Sequence, residues 1–381
     1  MTVILASALA IAGVGALCLL VWGRAGIPSL SDVPPLERGD GPRVSIVVAA
    51  RDEARHIEPA IRALVAQQYH AIELIVVDDR SGDATPAILA RLAEADDAIR
   101  VVRIDALPEG WLGKNHALHV GAQQATGDAL LFVDADVMLA ADTLSRAMRL
   151  MRASRADHVA IAPDVEAPTA PLALVVNYFF MWFLLYLRPW RARDPRSTAY
   201  IGIGAFNLVS TRAYRALDGH ARIALRPDDD LMLGKLLKRA GYRQILADGK
   251  GAVAVEWYRS LGELARGLRK NAFAGLHYSV VFAIAAALGQ FLLGIWPFAA
   301  VWIADGPARM LYAIAAAAQM IAYAGTATAR HTRPWLTLLY PIAAILFLGI
   351  LLAAVTRTLL QRGIEWRGTR YPLDALRANR V

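Results

Sequence analysis

Residues 3–23, VILASALAIAGVGALCLLVWG, run without a charge for long enough to cross a bilayer and stop at Arg24. Three more oily runs, 276–304, 309–328 and 334–355, crowd the C-terminal end. With 56% of 381 residues hydrophobic, the chain is too apolar for an ordinary soluble enzyme. No basic residue precedes the first run and no small-residue cleavage site follows it, so residues 1–24 read as an uncleaved membrane anchor. A shorter run, 171–187, carries Asn177 and is bounded by Pro171 and Arg188. It reads as an interfacial or barely inserted helix, with a full span as the alternative.

The single cysteine, Cys18, lies inside the anchor, which excludes an intrachain disulfide or a cysteine metal site and fits a cytoplasmic catalytic domain. The net charge of +8 forms no nucleic-acid-like stripe. Arginines gather beside the oily runs and in the tail, as they do at a membrane surface, so the expected partner is the bilayer and not a nucleic acid.

Between anchor and C-terminal runs the pattern changes. Short Val/Ile-rich runs (VSIVVAA, LIVVDD, VVRI, LLFVDAD) alternate with longer amphipathic stretches, which predicts a mainly parallel α/β sheet covered on both faces. Such sheets bind ligands beyond the carboxyl ends of their strands. Three of the runs end in charge: ARDE at 50–53, DDRSGD at 78–83 and DAD at 134–136.

Residues two apart in a strand project the same way, so Asp134 and Asp136 point two carboxylates at one place. That pair is too few ligands to enclose a hard divalent cation such as Mg or Mn, but enough to hold one shared with a diphosphate. Taken alone, it also suits a turn that caps the next helix. Asp78 and Asp79 precede a turn-and-cap composition, where a carboxylate either caps a helix or accepts from a nucleobase or ribose. GWLGKNHAL (110–118) sets Lys114 at a helix start, placed for phosphate oxygens or simply for solvent. RPDDDLMLGKLLKRAGYR (226–243) opens a helix with three carboxylates, more than the helix dipole requires, so one is a candidate general base. RGLRKNAFAG (266–275) places Arg266, Arg269 and Lys270 just before the membrane, as snorkelling side chains or as a diphosphate clamp.

In this order the motifs resemble the membrane-bound family-2 glycosyltransferases over roughly residues 43–275. The resemblance implies a GT-A fold and an inverting, metal-dependent hexosyl transfer from a nucleotide-sugar. It implies that Asp78 or Asp79 holds the nucleoside and that Asp136, with Asp134 beside it, holds the metal. Aligning on AGYR places Asp230 on the catalytic base and Asp229 on the glutamate before it. Glu53, Lys114, Arg266 and Arg269 complete the expected donor site. The family's closing motif is broken: Arg266 and Arg269 keep its spacing, but Lys270 stands where tryptophan is expected, which argues against a processive polymerase.

The GW-x-GK turn and the layout look most like enzymes that glycosylate polyisoprenoid lipids, the hopanoid-associated and carotenoid glycosyltransferases. The expected acceptor is therefore a membrane lipid at the cytoplasmic face of the inner membrane. A polysaccharide-synthesising enzyme and an inactive nucleotide-binding protein are the alternatives.

The expected domains are the anchor (1–24), the GT-A domain (43–255), a basic interfacial segment (256–275), a transmembrane region (276–356) and a basic tail (357–381). One conflict arises here. Three C-terminal spans would place a tail with six arginines outside, against the positive-inside rule, so either 276–304 forms a hairpin or one run does not cross.

Overall fold

The computed structural model describes residues 2–37, 39–330 and 332–381. It divides into two compact units: residues 27–166 with 189–256 and 379–381, and residues 1–26 with 167–188 and 257–378.

The first unit is an α/β sandwich. Strands β1 (Val44–Ala50), β2 (Ile72–Asp79), β3 (Ile99–Ile104), β4 (Ala129–Asp134), β5 (Val137–Leu139), β6 (His158–Ala162), β7 (Asp164–Val165), β8 (Asn207–Ser210), β9 (Gln244–Asp248) and β10 (Val253–Val255) form two sheets. The larger has the order β3-β2-β1-β4-β8-β6-β9, and the smaller is β5-β10-β7. All pairings of the larger sheet are parallel except those of β8, which runs antiparallel to both β4 and β6. This is the mainly parallel sheet that the strand runs predict.

The runs are continuously apolar because both faces are buried. Ile46, Val48, Leu74, Val76, Leu131 and Val133 pack with helices α2 (Ile57–Val65), α3 (Thr85–Ala95) and α5 (Thr143–Ser154). Their alternates Val47, Ile75, Val77, Leu130 and Phe132 pack on the other face with α4 (Gly113–Gln124) and α8 (Asp229–Arg239). The short helix α7 (Thr211–Ala216) follows β8. Parallel register sets the strand ends level: Ala50 pairs with Asp78, and Ala49 with Asp134.

The second unit holds α1 (Thr2–Ala25), α6 (Ala170–Leu187), α9 (Leu261–Ala274), α10 (Val280–Gln290), α11 (Trp296–Ile303), α12 (Gly306–Ala329), α13 (Tyr340–Leu360), the hairpin β11 (Gly363–Trp366) with β12 (Thr369–Pro372), and α14 (Leu373–Ala378). A single π-helical turn, Phe291–Ile295, joins α10 to α11. Among the described residues, five segments are long and apolar enough to cross a membrane: Val3–Ala25, Ala170–Arg191, Val280–Ile303, Gly306–Ala329 and Pro334–Leu360.

Chain connectivity limits which of these cross. β4 precedes α6 and β8 follows it, yet the two strands pair directly, so both ends of α6 lie on one side of any bilayer. Length alone would permit α6 to span; the sheet forbids a single crossing. The tail obeys the same logic. Asn379 accepts from the Leu225 amide (3.1 Å) and donates to the Arg222 carbonyl (3.1 Å), while Val381 packs on the core under α4 and α8. The chain therefore returns to the side of the sheet after residue 257. Where the apolar segments in between cross a bilayer, they do so an even number of times, so the three are not all single spans.

Candidate active site

The ends of β1 and β2 are stitched together. Asp52, in the left-handed region at φ 54°, accepts from the Gly82 amide (2.8 Å), the Asp52 amide donates to Ser81 Oγ (3.0 Å), and the Glu53 amide to Thr85 Oγ1 (2.8 Å). Within this frame Asp78 is buried and accepts from the Ser81 amide, three residues on, at 3.2 Å, which folds the loop. Asp79 is also buried. It takes a forked contact from Arg80 (2.7 and 3.1 Å), lies 3.9 Å from Arg51, and backs against Gly113, where a Cβ would stand 2.2 Å from Asp79 Oδ2. Of the two, Asp78 builds the loop, and Asp79 joins the end of β2 to the start of α4.

One strand over, the acids are arranged differently. Lys114, in the first turn of α4, sets its Nζ 2.7 Å from Asp134 Oδ1 and 3.4 Å from Asp229 Oδ1. Burial alone would lower its pKa, but Asp134, Asp229 and Asp230 outweigh that and hold the ammonium well above its usual value. Asp230, the second residue of α8, is held at both oxygens, by the Gly204 amide (2.7 Å) and the Leu231 amide (2.8 Å). Burial and the neighbouring Asp229 push its pKa up to about 7, against the pull of Lys114. Asp136 is likewise pushed up to about 7 by burial, by Asp134 and by Glu53. Asp228 stands apart: its carboxylate is in a forked pair with the buried Arg226 (2.9 and 2.7 Å).

A narrow cleft is lined by Lys114, Asp134, Asn207, His220, Asp229 and Asp230. His220 accepts or donates at Nδ1 with Tyr214 Oη (2.8 Å), and its burial, with Lys114 nearby, lowers its pKa to about 3, so it contributes a neutral ring. Gly204 is a wall of the cleft: its carbonyl accepts from the Asp134 amide (3.0 Å), and a Cβ there would meet Asp134 Oδ2 at 2.5 Å. Sequence reasoning missed Gly204, Asn207 and His220. YIGIGAF (200–206) held a signal, since two glycines in an otherwise bulky run mark a close backbone approach.

The structure thus brings together Lys114, Asp134, Asp229 and Asp230, with Asp136 and Glu53 close by, and sets Asp78 and Asp79 at the end of β2, on the far side of β1. Arg266 and Arg269 belong to the other unit, on α9, where they line a second cavity with residues of the tail. Among the described residues, no group of three or more His, Cys, Asp or Glu side chains is arranged to hold a metal ion. The available donors are hard carboxylate oxygens, of which Lys114 already engages one on Asp134. Such a set suits a divalent ion of Mg or Mn type that takes its other ligands from phosphate.

Residues 45–214 match the family model described as Glycosyl transferase family 2. The chain is 25% identical over 221 residues to 4,4'-diaponeurosporenoate glycosyltransferase of Staphylococcus haemolyticus, covering 57% of each protein. It is 35% identical over 144 residues to beta-monoglucosyldiacylglycerol synthase of Synechocystis sp., covering 33% of this chain and 30% of the relative. The matches therefore span about half of the first relative's length and less than a third of the second's. Among solved structures, the mannosyltransferase PcManGT of Pyrobaculum calidifontis, in complex with GDP-Man and Mn2+, superposes with a TM-score of 0.53 at 20% identity, covering 95% of this chain and all of that one. Residues 45–214 therefore match the Glycosyl transferase family 2 model on a sheet of GT-A fold.

Proposed function

We propose that the chain is an inverting glycosyltransferase that moves a sugar from a nucleotide-sugar to a membrane lipid of polyisoprenoid type. The observation that carries this is the convergence of Lys114, Asp229 and Asp230 beside Asp134, at the carboxyl edge of a parallel sheet. Asp230 would deprotonate the acceptor hydroxyl. Two backbone amides fix its carboxylate, and its pKa of about 7 keeps it both basic and substantially ionised near neutrality. Lys114 supplies fixed positive charge for the departing diphosphate. Asp136 and Asp134 would hold a divalent metal, which when bound adds further neutralisation of the diphosphate charge. Asp79 would hold the nucleoside, and Asp78 would shape the loop beside it.

A lipid acceptor is supported by the apolar segments and by the relatives, whose names give diaponeurosporenoate and a glucosyldiacylglycerol. With the sheet on the cytoplasmic side, the even number of crossings after residue 257 keeps the basic tail there as well. Membranes containing the chain, incubated with a panel of labelled nucleotide-sugars, should transfer one label to extractable lipid, with the anomeric configuration opposite to the donor's. A retained configuration would defeat the single-displacement mechanism, and label confined to polymer would defeat the lipid acceptor.

A further inference from the structure

The second unit contains a cavity of about 510 Å3. It is built from α9, the last turn of α13 and the β11–β12 hairpin, so it is complete within that unit. Five cations face it, Arg266, Arg269, Lys270, Arg357 and Arg367, against the carboxylates Glu263 and Glu365. Glu263 is partly committed to the chain itself, accepting from the Arg259 amide at 2.9 Å. Lys270 lies 3.8 Å from the centroid of the Trp366 ring, a cation–π contact that ties α9 to the hairpin and gives the cavity an apolar wall.

Position selects the ligand. Arg357 is in the last turn of the apolar segment Pro334–Leu360, which places the cavity at the depth of the headgroups when that segment lies in a bilayer. Guanidinium forks match the oxygens of a phosphate, and a basic pocket at the end of a membrane helix is where a phosphodiester would be held. We propose that this cavity binds the phosphate of an anionic glycerophospholipid headgroup. The site holds a membrane component in place, and Arg357 and Arg367 lie outside the residues expected to bind the donor.

The test uses the full chain purified in a neutral maltoside detergent, with dioleoylphosphatidylglycerol, dioleoylphosphatidylcholine and inorganic phosphate as separate probes. Native mass spectrometry should show phosphatidylglycerol bound in preference to phosphatidylcholine, and it should raise the thermal midpoint. The double variant Arg357→Gln with Arg367→Gln should weaken that binding by about tenfold or more. Equal binding of phosphatidylcholine, or an undiminished affinity in the double variant, would overturn the proposal. Inorganic phosphate binding as tightly as the lipid would assign the cavity to a free phosphate instead and overturn the lipid assignment. If the double variant does not fold, the wild-type chain still decides: no preferential retention of phosphatidylglycerol would sink the idea.

Discussion

Strands β2 and β4, separated by β1 in one sheet, each lead into a pair of aspartates, and the two pairs do different things. At the end of β2, Asp78 and Asp79 are buried and answered by their own surroundings, a turn amide for one and an arginine fork for the other. At the end of β4, Asp134 and Asp136 are half-buried and face further acids across a single lysine, so negative charge is crowded there. A strand-end acid pair is thus not in itself a binding site. What distinguishes the β4 end is charge that the protein leaves incompletely compensated at a cleft.

The largest effect expected from that contrast is at the crowded end. Asp136→Ala should abolish metal-dependent turnover while leaving the fold intact; activity that survives both this change and EDTA would erase the distinction between the two pairs. Asp230→Asn should keep donor binding and slow turnover by about 100-fold or more, the loss expected for a positioned base. Near-normal turnover in that variant, together with a dead Asp229→Asn, would move the base by one residue.

Asp228 begins the same acidic run but belongs with the compensated type. Asp228→Asn should leave kcat unchanged and lower stability by about 2 kcal/mol, because it leaves buried Arg226 with a neutral partner. Chemical denaturation of the detergent-solubilised chain measures this, and a lost kcat at unchanged stability would place Asp228 in the chemistry.

The pH profile should sharpen the contrast further. With Asp230 raised to about 7, turnover at pH 6 should be about tenfold below that at pH 8, since the base must be ionised. Stability should move the other way. Asp136 and Asp230 hold protons in the folded state that the unfolded chain releases above about pH 4, so stability falls as pH rises from about 4 through about 7. A flat kcat profile across that range would remove Asp230 as the base. The smallest effect is expected at Asp79. Asp79→Asn should raise the donor KM by about fivefold at unchanged kcat, as for one weakened hydrogen bond; an unchanged KM would make the β2 pair purely structural.

Much of this was legible in the sequence because it depends on local pattern. Continuous apolar strands announce a sheet covered on both faces, and charges at their ends announce the active edge. The DxD, GK and DDD stretches each mark a segment that reaches the site. What stayed hidden depends on long-range pairing. β8 gives no sign that it inserts antiparallel between β4 and β6, and nothing in RPDDD says that Arg226 claims Asp228 and leaves Asp229 and Asp230 for the cleft. Gly204 is read as a loop glycine until the Asp134 carboxylate is seen against it. The apolar runs give segment lengths, but only strand pairing on either side of α6 shows that its two ends lead back to one sheet.

The contact of Asn379 with residues 222 and 225 also sets an order of events during synthesis. The loop that leads into Asp229 receives this partner only after the ribosome has made α12 and α13, and Val381 joins the core beneath α8 later still. A nascent chain with its sheet already translated but its last helices not yet integrated lacks these closures. The loop that leads into Asp229 and Asp230 is therefore closed only after α12 and α13 have been made.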